Sequence, residues 1–238
     1  MKNYLSFGGG VNSVALYLYL IEQKIDFEAV FVNHGTDWPE TYEYFDMFQG
    51  WLGRQGYRKI TVLKPEKGNL YDYCWQYKMT PNFMRRWCTK MFKVDILLDY
   101  YKGPGFEFIG IDADEKKRAK IQTRNGMEAR YPLIEAEIGR AACKELIKKH
   151  GLPVPMKSGC YICPFQRVTQ WKELRRNHPD LFCKASQLEQ RNIDYKIENG
   201  KRPFYLNANP KISLRAIVDE DQQPIFEEDE YPPCRCAL

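Results

Sequence analysis

Runs of apolar positions change period along the first half of the chain, and the changes mark out elements. Residues 3–7 read as a short strand, and the stretch from Ser13 to Lys24 is apolar on nearly all sides, which predicts a buried helix. Residues 28–33, Glu-Ala-Val-Phe-Val-Asn, read as a second strand. From Pro39 to about Gln55 the apolar residues Tyr42, Phe45, Phe48 and Leu52 recur at helical spacing, with Pro in the first turn. A third strand follows at 59–63, a helix at 89–101 and a fourth strand at 106–111. Strands that alternate with helices predict a parallel sheet covered by helices on both faces. Ligands of such sheets sit beyond the C-terminal ends of the strands, near a topological switch point. The loop after the first strand is therefore the expected site before any motif is considered.

The second half is less regular. A helix is predicted from Arg140 to His150, and Gly151-Leu-Pro-Val-Pro ends it because Pro cannot continue the hydrogen-bond ladder. A cysteine pair follows in a loop, and further helix is expected from Thr169 to about Asn199. The last twenty residues carry Asp219, Glu220, Asp221, Glu227, Glu228, Asp229 and Glu230 before two final cysteines, and read as an exposed, mobile end. The expected fold is α/β: a parallel five-stranded, Rossmann-like sheet with helices on both faces, plus a mostly helical, cysteine-containing C-terminal part. The expected division is a nucleotide-binding domain over 1–150 and a helical region over 151–238.

Composition narrows the class. The chain has 238 residues, enough for one sizeable core or one core with an appendage. It contains no run of about 18 apolar residues, so no membrane partner is expected, and the absence of a signal-peptide pattern makes the expected compartment cytoplasmic. A net charge of +5 permits a phosphate-bearing ligand or a nucleic acid and requires neither. Eight cysteines in a reducing compartment argue against a disulfide framework. Two close pairs, Cys160 with Cys163 and Cys234 with Cys236, point to metal or redox chemistry.

The strongest local signal is Ser6-Phe-Gly-Gly-Gly-Val-Asn-Ser13. Three glycines between a strand and a helix let the backbone approach an anion and aim several N–H groups at it, and the helix N-terminus adds positive potential. No Gly-Lys-Ser/Thr follows, so this is not a Walker loop. The pattern resembles the pyrophosphate (PP) loop of the adenine-nucleotide alpha-hydrolase-like superfamily, with Asn12 where an Asp is usual. Four more segments resemble that superfamily's phosphoadenylyl-sulfate (PAPS) reductase family, in order. They are Val32-Asn-His-Gly-Thr-Asp-Trp-Pro-Glu-Thr41, Arg85-Arg-Trp-Cys-Thr-Lys-Met-Phe-Lys-Val94, Gly110-Ile-Asp-Ala-Asp-Glu-Lys-Lys-Arg118 and Tyr131-Pro-Leu133.

The resemblance implies roles for the matching positions. Ser6, Gly8, Gly9, Gly10, Asn12 and Ser13 would hold the phosphates of ATP or of an adenylyl sulfate, with Asn33 and His34 against the nucleoside. Lys90 and Arg118 would offer positive charge to the phosphate or sulfate end. Asp114 and Glu115 are candidates for Mg2+ or simply loop acids. In iron–sulfur members of the family the Arg/Cys segment supplies a tandem cysteine pair and a distant Cys-x-x-Cys the rest. Here Trp87 replaces the first of the tandem, so Cys88, Cys160 and Cys163 match. Cys234 stands as fourth ligand of a 4Fe–4S cluster, Cys183, Cys236 or an open iron site being the alternatives. Zinc on the same thiolates and buried thiols without metal are further readings. Family reductases carry a nucleophilic tail cysteine, a role that falls to Cys236, although their Glu-Cys-Gly tail motif is absent.

The implied activity is sulfur transfer or sulfonucleotide reduction. The alternatives are an ATP-pyrophosphatase-type enzyme that thiolates nucleic acid, and a nucleotide and cluster sensor without turnover. Arg167, Trp171, Lys172, Arg175, Arg176, His178, Arg191, Lys196, Lys201 and Arg202 form a basic–aromatic stretch that would either hold a nucleic-acid backbone or be the solvated face of two helices. A small thiol or thioredoxin-type partner and a second copy of the chain complete the partner classes left open.

Overall fold

The computed structural model describes residues 1–82, 84–120, 122–207 and 212–219. Its centre is a six-stranded sheet of β1 (Lys2–Ser6), β2 (Glu28–Val32), β3 (Thr61–Leu63), β4 (Gly105–Ile109), β5 (Thr123–Arg124) and β6 (Met127–Arg130), in the order β3-β2-β1-β4-β6-β5. The five strands from β3 to β6 run parallel, as the alternating pattern predicts, and only the two-residue β5 is antiparallel, turning back on β6. That added edge strand is too short to carry an apolar period.

The helices are α1 (Val11–Glu22), α2 (Pro39–Arg54), α3 (Leu70–Gln76), α4 (Trp87–Thr89), α5 (Asp95–Tyr100), α6 (Pro132–Glu135), α7 (Arg140–Lys149), α8 (Val168–Asn177), α9 (Pro179–Glu198) and α10 (Leu214–Asp219). On one face of the sheet, Val14, Leu16, Leu18 and Leu20 of α1 pack with Phe45, Phe48 and Leu52 of α2 and with Cys143 and Ile147 of α7. On the other face, Leu97 and Tyr101 cover Tyr4, Val30, Val32 and Met127. The helix expected over 89–101 contains a π turn, Lys90–Val94, between α4 and α5. The helix expected over 169–199 is broken at His178, because Pro179 starts α9 and cannot donate to the ladder of α8.

A second core joins the segment 38–92 to the helical second half. Trp38, Leu70, Cys74 and Phe92 pack with Tyr161, Ile162, Trp171, Leu174, Phe182 and Leu188. Trp171, expected on a basic–aromatic surface, is fully buried here, since its face of α8 also carries Leu174 and turns toward α9. β1, β2 and β3 wind outward on one side, and the chain then returns to place β4 on the other side of β1. The switch point lies between β1 and β4, beside the glycine loop.

Candidate active site

The loop Phe7–Gly10 is fixed by close backbone approach. Gly9 has φ +73°, and a Cβ there would stand 2.9 Å from the Thr41 methyl; a Cβ on Gly10 would stand 2.7 Å from Ser158 Oγ. Gly8 faces open space, leaving one side of the loop to a ligand. From β4, Gly110 presses against the start of α1, where its Cβ would meet Asn12 and Ser13 backbone atoms at 3.0 Å. Ser13 donates its hydroxyl to Gly10 O at 2.9 Å, which steadies the first turn. Asn12 and Ser13 are buried and Ser6 is half-buried.

The segment after β2 connects this loop to the cysteines. Asn33 Oδ1 accepts from Gly35 N–H at 2.9 Å and from the Tyr42 hydroxyl at 3.2 Å. His34 is buried, with Nδ1 2.8 Å from Thr36 Oγ1 and Nε2 3.4 Å from Asp37 Oδ1. Thr36 Oγ1 in turn lies 2.9 Å from Cys160 Sγ. Asp37 pairs with Cys160 in an antiparallel bridge, Trp38 N–H donates to Gly159 O and Tyr161 N–H to Thr36 O. Burial alone would raise the Asp37 carboxyl, yet His34 and Lys93 hold it below the ordinary carboxylate range.

Cys88, Cys160 and Cys163 line one cavity with His34, Arg86, Lys93 and Phe165. Burial pushes the Cys88 and Cys160 thiols up, opposed at Cys88 by hydrogen bonds with Thr89 and by the charges of Lys93 and Arg86. Arg86, which lines the cavity, and its chain neighbour Trp87 each carry a buried donor, Nη2 and Nε1, with no hydrogen-bond partner among the described residues. Buried donors are normally satisfied, and each orphan calls for an explanation. Arg86 also takes a left-handed backbone, φ 43°, just before the π turn, and both features concentrate at functional sites. Sulfur donors, two cationic side chains and orphaned N–H groups fit an anionic iron–sulfur group. Among the described residues no group of three His, Cys, Asp or Glu side chains is arranged to hold a single metal ion.

The model of the phosphoadenosine phosphosulfate reductase domain matches residues 2–153, from β1 through the end of α7. The chain belongs to the phosphoadenosine phosphosulfate reductase family. Comparison with curated protein sequences finds no match. Among solved structures, the chain is similar to the U34-tRNA thiolase NcsA from Methanococcus maripaludis with its 4Fe–4S cluster, at 16% identity and TM-score 0.51, over 96% of this chain and 84% of that one. It is also similar to the PAPS reductase from Candida auris in a phosphate complex, at 15% identity and TM-score 0.49, over 65% of this chain and 75% of that one. These likenesses concern the fold.

The other sequence-derived residues fall at varied distances from this centre. Lys90 is 71% exposed and binds both oxygens of Asp95 at 2.8–2.9 Å, whereas the lysine in the cysteine cavity is Lys93. Arg118 is paired with Glu115. Asp114 accepts the N–H of Arg140 at 2.7 Å. Both acids considered for Mg2+ are thus engaged within the protein, and the first turn of α1 has no carboxylate to add. Cys74 and Cys143 are fully buried, and burial pushes Cys143 up to about 12. Cys234 and Cys236 lie outside the described residues, as does most of the acidic tail. Thr36, Asp37, Arg86 and Lys93 also belong to the site; they fall within the family-like segments 32–41 and 85–94, but the sequence assigns none of them an individual role. The left-handed Arg86 and the π turn, which set where Arg86 and Lys93 stand, have no sequence signature.

Proposed function

We propose that the chain is an adenine-nucleotide-dependent sulfur-transfer enzyme with a 4Fe–4S cluster on Cys88, Cys160 and Cys163. The observation that carries this reading is the joining of two sites. The glycine loop packs on Ser158, and two residues further on Cys160 enters a cavity with Cys88, Cys163 and His34. In the form favoured here, an acceptor oxygen bonds to the α-phosphorus of ATP as pyrophosphate leaves; an inorganic sulfide ion supplied from outside then forms the C–S bond as the C–O bond breaks and AMP leaves, with no change of oxidation state. The glycine loop would hold the departing pyrophosphate with backbone N–H groups and the α1 N-terminus. Lys93 and Arg86 would balance the charge of the thiolates. The cluster, held by Cys88, Cys160 and Cys163, would supply a binding site for sulfide.

The single cysteine of the Arg/Cys segment supports this form over sulfonucleotide reduction. The similarity to a cluster-bearing tRNA thiolase, which runs through the cysteine-bearing second half, favours a nucleic-acid acceptor. Calorimetric titration of anaerobically prepared protein with ATP and with adenylyl sulfates tests the reading. Tighter binding of ATP, with pyrophosphate released on turnover, is expected. A clear preference for an adenylyl sulfate would move the assignment to reduction, and binding of neither would sink the nucleotide site.

A further inference from the structure

Arg140 is the first residue of α7, whose first turn contains no acidic side chain. A cation there opposes the helix dipole, at a cost of about 0.3–1 kcal/mol, so stability of α7 does not account for it. Its guanidinium instead reaches across to the glycine loop and donates from Nη1 to Asn12 Oδ1 at 2.7 Å. Asn12 is the second residue of α1, two positions after the last glycine, and is only 9% exposed. Among the described residues no carboxylate pairs with this guanidinium. Of the two nearby acids, Asp112 accepts the Glu115 N–H at 3.1 Å, and Asp114 accepts the Arg140 backbone N–H and packs on Gly139, where a Cβ would stand 2.8 Å from its oxygens.

The identity of residue 12 decides the charge of this corner. An Asp would form an ion pair with Arg140 and cancel it. The neutral Asn anchors the guanidinium through one N–H without adding a further carboxylate to the nearby Asp112 and Asp114, and leaves its remaining donors beside the loop. A carboxylate at position 12 would favour a divalent cation with the nucleotide, but the chain places a neutral amide there, bonded to the Arg140 guanidinium.

We infer that Arg140, held by Asn12, is a phosphate-binding residue of the glycine loop, supplying to the polyphosphate end of a nucleotide the positive charge that a divalent cation would otherwise bring. This rests on the nucleotide-binding reading of the loop. Arg140 and Asn12 together then make polyphosphate binding only weakly dependent on magnesium.

The test is titration of the full chain with ATP and with pyrophosphate, each with magnesium and with EDTA, alongside Arg140→Ala, Arg140→Lys and Asn12→Asp. The wild type is expected to lose less than about 10-fold in affinity when magnesium is removed. Arg140→Ala should weaken ATP by about 10- to 100-fold in EDTA, the value of one charged hydrogen bond, with Lys intermediate. Asn12→Asp, nearly isosteric, should create magnesium dependence: weak binding in EDTA, restored by the metal. A merely structural Arg140 would weaken binding equally in both conditions and leave Asn12→Asp unchanged, which overturns the inference. Should Arg140→Ala fail to fold, Asn12→Asp carries the decision. A wild type that binds neither ATP nor pyrophosphate overturns the nucleotide reading and this inference with it. A wild type that binds both, with every variant equal to it, overturns only this inference.

Discussion

Replacing Gly9 with alanine perturbs the glycine loop in two separable ways. At φ +73° a Cβ clashes with its own carbonyl, which costs an L-residue about 1–2 kcal/mol. The same Cβ would lie 2.9 Å from the methyl of Thr41, which is buried in the first turn of α2. Relief requires Thr41 to leave its rotamer, at about 0.5–1.5 kcal/mol. Gly9→Ala is therefore expected to destabilise the chain by about 2–3 kcal/mol in urea denaturation, with an unchanged m-value. Thr41→Ser removes the methyl and should itself cost about 1 kcal/mol. In that background Gly9→Ala should cost less, the difference measuring the steric part. Gly8→Ala is the control, because a Cβ at Gly8 meets nothing within 4 Å: stability should hold while nucleotide binding falls. A Gly9→Ala protein as stable as the wild type, with no coupling to Thr41, would refute this account of the loop.

Other expectations come from single contacts. Glu189 is buried and accepts the backbone N–H groups of Leu206 and Leu214 at 2.7 and 2.6 Å, so Glu189→Gln, which keeps only one acceptor oxygen, should lower stability by about 1–3 kcal/mol in denaturant titration. Glu22 is held below its ordinary pKa of 4.5 by a hydrogen bond from Lys149 and a second contact with His150, tying the end of α1 to the end of α7. Its folded pKa is depressed, so its stabilisation is present above 4.5 and is lost as pH falls through the lower folded value. Being a surface pair it is worth less than about 1 kcal/mol, and Glu22→Gln should flatten the acid limb of the stability profile by that amount. Cys143, pushed up to about 12 by burial, should resist iodoacetamide at pH near 8 in the folded chain and react fully in guanidinium; rapid labelling of the native protein would contradict its placement.

Much of the fold is legible because it arises from periodicity. The buried α1, the α2 stripe of Phe45, Phe48 and Leu52, and the parallel strands are all visible as apolar patterns, and the alternation fixes the switch point where the glycines lie. What escapes depends on contacts between distant residues or on local geometry without a composition signal. The π turn at Lys90–Val94 widens one helical turn and offsets the residues beyond it, so that Lys93 lines the cysteine cavity while Lys90 turns out to Asp95. The basic stretch of α8 loses Trp171 to the core, because which face of a helix is buried is set by α9, its packing partner. Arg140 reads as an ordinary helix residue until its contact with Asn12, 128 positions away, is seen. The order of the motifs, by contrast, points to the family without any geometry.

Anaerobic reconstitution with iron and sulfide probes the cysteine cavity most directly. Iron, sulfide and zinc analysis and a visible spectrum are then recorded for the wild type and for single Cys→Ser variants. The expected result is a brown protein whose broad absorption and iron content are lost in Cys88→Ser, Cys160→Ser and Cys163→Ser and kept in Cys74→Ser and Cys143→Ser. A wild type that takes up no iron, or iron that survives all three cavity variants, would contradict the assignment of a cluster to this cavity.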